Sequence, residues 1–342
     1  MLKRMLAPIA AIALIGMSSV PAWSQAKDIR WATSRVGSSG HKALVVLANL
    51  LNKEMPKYRI SVLPTAGAVV TVKGYATGLY EGTYGSDVAF SELASDTGRF
   101  KGFKAKMKRQ PMQSFWAFTL EPSIAIKASN IGKIKNWHDL AGRKVYTGPL
   151  PFDTRHQLEH ALAALGVKHH YTEVSLATAG SQLASGAIEA MCIYTAAETT
   201  PPPWLSQASL AVDWAALNPS PDEIATLKKK NFTFVDIKPS AYKRDVHAAK
   251  IIAMPFFYGF HVGGDMSAAD VYNMLKIIEK HAAELAKSDK SFGQIAKNMA
   301  EMQRRGVESS WQLVPIHPGL AKYMREKGVW DKKWDSHVAS IK

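Results

Sequence analysis

His156, Glu159 and His160 form an H-x-x-E-H string. On a helix that spacing sets two imidazoles on one face, as inverted zinc proteases need to hold a metal and activate water. A catalytic zinc requires a third protein ligand, for which Glu173, Glu189 and Glu198 are the acidic candidates further along. The plainer alternative is that Leu158, Leu162 and Leu165 define the buried stripe of this helix, with the two histidines solvated or hydrogen-bonded beside it. Serine hydrolysis fails at Gly37–His41, where Gly-Ser-Ser-Gly-His breaks the G-x-S-x-G elbow at its last position. His169 and His170 are adjacent and read as loop residues.

Anion recognition is the second chemistry within reach. Arg155, beside Asp153 and Thr154 at a helix start, could form a bidentate pair with a carboxylate, or an ion pair with Asp153 or Glu159. Arg35 offers the same choice between ligand and surface. Phe152 and Tyr194 could stack on an apolar ligand body or pack the protein against itself. Glu198 could receive an ammonium group or cap the loop that follows it.

The elements that would position these groups alternate between strand and helix, and the alternation occurs twice. Ile29–Thr33 is a short β-rich run, and Ser34–Gly40 is a turn-rich stretch. A helix from His41 to about Glu54 follows, with Leu44, Leu47, Ala48 and Leu51 on one face. Tyr58–Leu63 alternates as a strand, Val69–Thr77 is a second helix and Asp87–Phe90 a third strand. The pattern returns as strand Lys144–Thr147, helix Thr154–Leu165 stopped by Gly166, strand Tyr171–Ser175, helix Ala179–Ser185 and strand Ile188–Tyr194. Two βαβαβ units predict an α/β protein of two parallel-sheet lobes.

Open parallel sheets bind ligands beyond the carboxyl ends of their strands, where helix N-termini favour negative charge. Those ends predict a site from Arg35, Ser38, Ser39, Gly40 and His41, from Thr65, Ala66 and Gly67, and from Ser91 in the first lobe. Phe152, Asp153, Thr154, Arg155, Tyr194 and Glu198 face them from the second. Lobe 1 takes residues 25–115 and 219–342, and lobe 2 takes 116–218. One crossover runs through the aromatic stretch Gln113–Lys127 and the return through Leu210–Leu217. Two crossovers permit hinge bending. Ser267 and Asp270 form a capping signal for a later helix, and further helices are expected over Phe292–Arg304 and Pro318–Lys327.

Composition bounds the compartment. The chain has 342 residues, 43 Lys plus Arg against 28 Asp plus Glu, and one cysteine, Cys192, which excludes an internal disulfide and cysteine-cluster metal sites. Lys3 and Arg4 precede the apolar run Met5–Met17 and the small residues around Ala22 and Ser24, so residues 1–24 read as a secretory signal peptide, or as an uncleaved anchor. Arg99–Arg109 carries six basic residues and no acid, which reads as a solvated loop or an attractor of anionic headgroups or an acidic permease surface. Nucleic acid is a poor partner for an exported chain with no recognisable binding module.

The run Asn136-Trp-His-Asp-Leu-Ala-Gly-Arg-Lys-Val145 and the run His317-Pro-Gly-Leu-Ala-Lys-Tyr323, with Gly328 after the helix, resemble the TAXI family of solute-binding receptors for TRAP transporters. The resemblance spans nearly all of the mature chain. It implies a type II-like periplasmic binding fold, a monomer with no cofactor or metal and no catalytic activity. It also implies capture of a small organic anion or amino acid by lobe closure, and delivery to a sodium-driven permease. Departures at Ala32–Arg35, Ala68, Thr71, Leu150–Thr154 and Ala196–Glu198 mean that glutamate does not carry over as the ligand. An ABC-type periplasmic binding protein is the alternative, and a zinc hydrolase using His156, Glu159 and His160 is a third reading.

Overall fold

Lys27–Thr33 (β1) and Tyr58–Pro64 (β2) pair in parallel over their whole length in a computed structural model that describes residues 26–341; the expected signal peptide lies outside them. Between these strands Ser39–Glu54 (α1) buries Ala43, Leu44, Leu47, Ala48 and Leu51 against the sheet, which is the expected stripe. Ser38 starts the helix because its hydroxyl accepts from the His41 N–H. Ala68–Ala76 (α2) then leads to Gly82–Ser86 (β3).

The expected strand at Asp87–Phe90 is corrected: these residues open the helix Asp87–Ser95 (α3), and the strand is the glycine-rich segment before it. Ser86 is the reason, since its hydroxyl accepts from the Ala89 N–H and Asp87 occupies the first turn. Gly82 and Gly85 are strand residues because a Cβ there would lie 2.5 Å from the Trp31 ring and 2.7 Å from that of Phe90.

The second set repeats the scheme. Trp116–Lys127 (β4) crosses over, and Lys144–Tyr146 (β5), helix Asp153–Ala164 (α4), the two-residue His170–Tyr171 (β6) and Ala190–Ala196 (β7) follow. Trp214–Leu217 (β8), Val235–Ile237 (β9), Ile251–Ala253 (β10) and Phe256–Val262 (β11) complete the strands. The main sheet runs β2-β1-β3-β11-β4-β7-β5-β6, with β8 on the free stretch of β4. Both outer sets are parallel, as expected; β4 and β11 run antiparallel and join them into one sheet.

The return path differs from the expectation. Leu210–Leu217 does not carry the chain back, because β8 pairs with Ile124–Lys127 and so stays beside the second set. The chain returns between β10 and β11, where the Met254 N–H donates to the Pro122 carbonyl and Phe256 pairs with Leu120. The long helix Gly293–Ser310 clamps the first half of β4. Gln303 reads both backbone groups of Trp116, and Gly306 lets the Trp116 ring approach to 2.2 Å of where a Cβ would stand.

Glu121 sits at the middle of β4 with no exposed surface. It accepts from the Thr119 and Thr195 hydroxyls and from the Glu198 N–H, and burial pushes its carboxyl up to about 8 against those donors. The folded chain therefore holds a proton that an unfolded carboxyl releases near its ordinary pKa of about 4.3, so this contribution to stability is full below that value and is lost as pH rises through about 8. Denaturant unfolding of Glu121→Gln should show less loss of stability between pH 5 and pH 8 than the wild type. An unchanged slope would place Glu121 ionised throughout that range.

Candidate functional site

The carboxyl ends of β1, β3, β5 and β7 meet where the two strand sets face each other, and seven of the expected residues converge there. Ser38, Ser39, Gly40, Phe152, Asp153, Thr154 and Tyr194, with Ser34, Tyr84, Leu120 and Tyr258, line an almost closed space of about 10 Å³. That is room for one water at most. Aromatic side chains fill the rest: Tyr84 stacks on Tyr258 with ring centroids 4.2 Å apart, and Gly40 is needed because its Cβ would lie 2.4 Å from the Tyr84 ring. The Ser34 and Ser38 hydroxyls bond each other at 2.7 Å, and Ser38 also donates to the Arg35 carbonyl, so the first loop is held by its own hydroxyls.

Among the described residues, Asp153 is the only charged group on that wall. Its carboxylate accepts from Ser86 Oγ at 2.5 Å and from the Tyr258 hydroxyl at 2.6 Å, and lies 2.7 Å from Arg99 Nη1. Arg99 in turn pairs with Glu92, whose other oxygen lies 3.6 Å from His156. Burial opposes the Arg99 charge, but the Asp153 and Glu92 carboxylates outweigh it and hold the guanidinium more basic than usual. Burial also raises the neighbouring Asp87 to about 7, although the Phe257 and Val88 N–H groups donate to it. Arg99 was thus misplaced by its sequence: the basic run reads as a solvated surface, whereas Arg99 turns inward and Arg109 pairs with Asp265 at 2.6 Å.

A much larger space adjoins the closed one and shares Ser39. It has a volume of about 700 Å³ and lies between the start of α1, the Thr199–Asp213 segment, Ala241–Arg244 and Asp289–Ser291. Small-molecule sites run from about 300 to 1,000 Å³. Three buried polar atoms on its walls have no hydrogen-bond partner: Ser39 Oγ, the Tyr242 hydroxyl and Asp289 Oδ2. Lys42 Nζ approaches Asp289 Oδ2 to 3.7 Å, and Lys243, Arg244 and Asp213 add charge of both signs. Orphaned buried groups are costly unless a ligand or water satisfies them. Tyr242 and Asp289 were missed because nothing local marks them; Asp289 looks like the cap that it also is, accepting from the Ser291 N–H.

The other expected residues lie apart from both spaces. Arg35 makes no ion pair among the described residues, and His41 is half-buried, which lowers its pKa. Thr65 spends its hydroxyl on the Thr33 carbonyl and on Gly67, Ala66 is exposed, and Ser91 faces solvent on α3 rather than a loop. Gly67 touches the opposite lip instead: a Cβ there would lie 2.9 Å from the Pro151 carbonyl oxygen. Arg155 turns away from the cleft, its guanidinium 4.1 Å from the Tyr171 ring centroid and 4.0 Å from Glu159. Glu198 faces a separate groove with Lys297 and Arg305.

The zinc alternative is not supported. Glu159 is taken by Thr147 and His169, His160 is exposed and packs beside Phe232, and no group of three metal-ligating side chains occurs among the described residues.

Residues 32–328 match the family described as NMT1-like. No curated protein matches the chain. Among solved structures the chain is similar to the periplasmic aliphatic sulphonate binding protein SsuA of Escherichia coli, at 16% identity over 92% of this chain and 84% of that one, with a TM-score of 0.38. It is similar to a putative L-cystine ABC transporter protein of Listeria monocytogenes at 14% identity, over 78% of this chain and 95% of that one, with a TM-score of 0.45. A zinc-bound ligand-binding component of an ABC-type import system from Staphylococcus aureus gives 11% identity, coverage of 92% and 97%, and a TM-score of 0.46.

The Gly67–Pro151 contact has a direct consequence. Gly67→Val adds a side chain where the two lips touch, while its extended backbone accepts any residue. The variant should keep the wild-type circular dichroism spectrum and show a larger radius of gyration by small-angle scattering; an unchanged radius would mean that the lips do not set the separation.

Proposed function

This chain belongs to the NMT1-like family, and from that premise we propose that it is a solute-binding receptor, which encloses a small molecule between two strand sets and passes it unchanged to a membrane importer. The observation that carries this reading is the 700 Å³ space walled by both halves, with buried Ser39, Tyr242 and Asp289 atoms left without partners. A ligand touches both walls only when both are in place, so binding shifts the population toward the closed form.

The ligand class expected from the sequence was a small organic anion or an amino acid. The mixed walls favour the second: Lys42 and Lys243 suit an acidic group, Arg244 being already paired with Asp213 at 2.5 Å, whereas Asp289 and the Ser39 and Tyr242 hydroxyls suit an ammonium or another donor. Binding is proposed to occur outside the cytoplasm, in keeping with the basic start, apolar run and small residues of positions 1–24.

For the importer, an ABC-type permease is placed first, because two of the proteins named above are an L-cystine ABC transporter protein and a ligand-binding component of an ABC-type import system. A TRAP permease of the TAXI type is the second reading, favoured by the His317-Pro-Gly start of the last helix. In the structure that motif is a helix cap: His317 Nδ1 accepts from the Gly319 N–H, and its other ring nitrogen bonds the Met266 carbonyl. Vesicles holding the neighbouring membrane subunits separate the two, since uptake driven by ATP marks one class and uptake driven by a sodium gradient the other.

A thermal-shift screen of amino acids, organic acids and sulfonates tests the receptor itself, since a ligand at 100 times its Kd adds about 2.7 kcal/mol of stability. A hit should be recovered unchanged after release, and Asp289→Asn should weaken it at least tenfold for an ammonium-bearing ligand. Chemical turnover of the hit, or full affinity in Asp289→Asn, would contradict the assignment.

A further inference from the structure

Asp153 opens α4, in the strand set built on β5–β7, yet every partner of its carboxylate belongs to the other set. Ser86 ends β3, Tyr258 lies on β11, and Arg99 follows α3. One guanidinium and two hydroxyls around a carboxylate are what a protein uses to hold an organic acid; here both hydroxyls donate to Oδ2, and Oδ1 faces the Arg99 charge at 2.7 Å. Here the acid is the chain's own. We propose that Ser86, Arg99 and Tyr258 form a binding site for a carboxylate, occupied by Asp153 as a tethered ligand when the halves close and open to a free small carboxylate when they part.

Each of the three donors is fixed by its own half, without help from Asp153. Arg99 is gripped by Glu92, which accepts from Nε at 2.7 Å and from the Arg99 backbone N–H at 3.0 Å. Ser86 Oγ accepts from the Ala89 N–H at 2.9 Å, which leaves its proton to point outward. Tyr258 is held by its stack on Tyr84, the rings 8° from parallel. The site therefore persists when Asp153 leaves, which distinguishes a receptor site from a salt bridge formed by two mobile side chains. Asp153 itself is fully buried, so its charge has left water and depends on these three groups.

A tethered ligand acts at an effective concentration of order millimolar. Closure is then favoured before any solute arrives, and a solute acid that needs Arg99 must displace Asp153 first. This sets a specificity: the site rejects weak or poorly placed carboxylates and leaves the larger space to recognise the rest of the solute. The inference rests on the receptor reading only in that the halves can part. Its test uses no transported solute, so a failed ligand screen and a failed test here are distinguishable.

The experiment takes the full exported chain and its Asp153→Ala variant, free of solute, and titrates sodium formate against sodium chloride at equal ionic strength. Asp153→Ala should show a larger radius of gyration than the wild type. Formate at tens of millimolar should raise its melting temperature saturably, chloride should not, and the wild type should respond at least tenfold more weakly. Adding Arg99→Gln to Asp153→Ala should abolish the formate response. If Asp153→Ala fails to fold in chloride, refolding in formate but not in chloride supports the proposal, and failure in both overturns it. A variant with the wild-type radius, or a formate response equal in both proteins or surviving Arg99→Gln, overturns it too.

Discussion

One strand belongs to both halves of this protein, and the rest of the architecture follows from it. β4 is buried along all but its last residue; its first stretch pairs with β11 and its second with β7 and β8. The two parallel sets are therefore joined through β4, and the proposed turn between them is placed at its middle, where Pro122 offers no N–H and the returning chain passes at Met254. Two neighbouring connections are the mechanical requirement for hinge closure, and the buried Glu121, tied to Thr119 on one side and Thr195 on the other, sits at the proposed pivot.

The charge arrangement gives the cleft its character. The chain carries a formal net charge of +15, yet Arg99, which reaches Asp153 on the wall of the closed space, is already neutralised by Glu92 and Asp153. A diffuse positive potential still draws anions toward the molecule and fades with salt. In the proposed site, local recognition falls instead to the polar side chains of Ser39, Tyr242 and Asp289. In the proposed receptor, attraction and selection are thus separated: the surface gathers anions, and the larger space chooses among molecules that also carry a donor.

The sequence made the repeated βαβαβ pattern legible because it writes itself locally. The α1 stripe, the Ser38 start and the apolar strands β1, β2 and β7 all follow from periodicity and capping. β3 was hidden because its glycines serve close packing under Trp31 and Phe90, and glycine in sequence looks like a turn. β8 looked like a crossover because an apolar strand does not declare which partner it pairs with. In the candidate site, loop position is what brings Ser38–Gly40, Phe152–Thr154 and Tyr194 together, whereas Arg155 and Arg99 exchanged the roles their neighbours suggested. Helix phase turns Arg155 toward Tyr171, and the turn at Gly98, with a φ of +51°, brings Arg99 back over Glu92. Tyr242 and Asp289 come from segments far along the chain and become site residues only through tertiary placement.

Closure about β4 is the claim on which the functional account stands, and the two lips provide a direct gauge of it. Val36 and Leu150 are exposed, on opposite lips, and the native Cys192 is buried, so spin labels can be placed at the first two positions alone. Pulsed electron paramagnetic resonance on this pair should give two distance populations without solute, with the shorter one growing to dominance as a bound solute saturates. A single distance that does not change with solute would contradict the account.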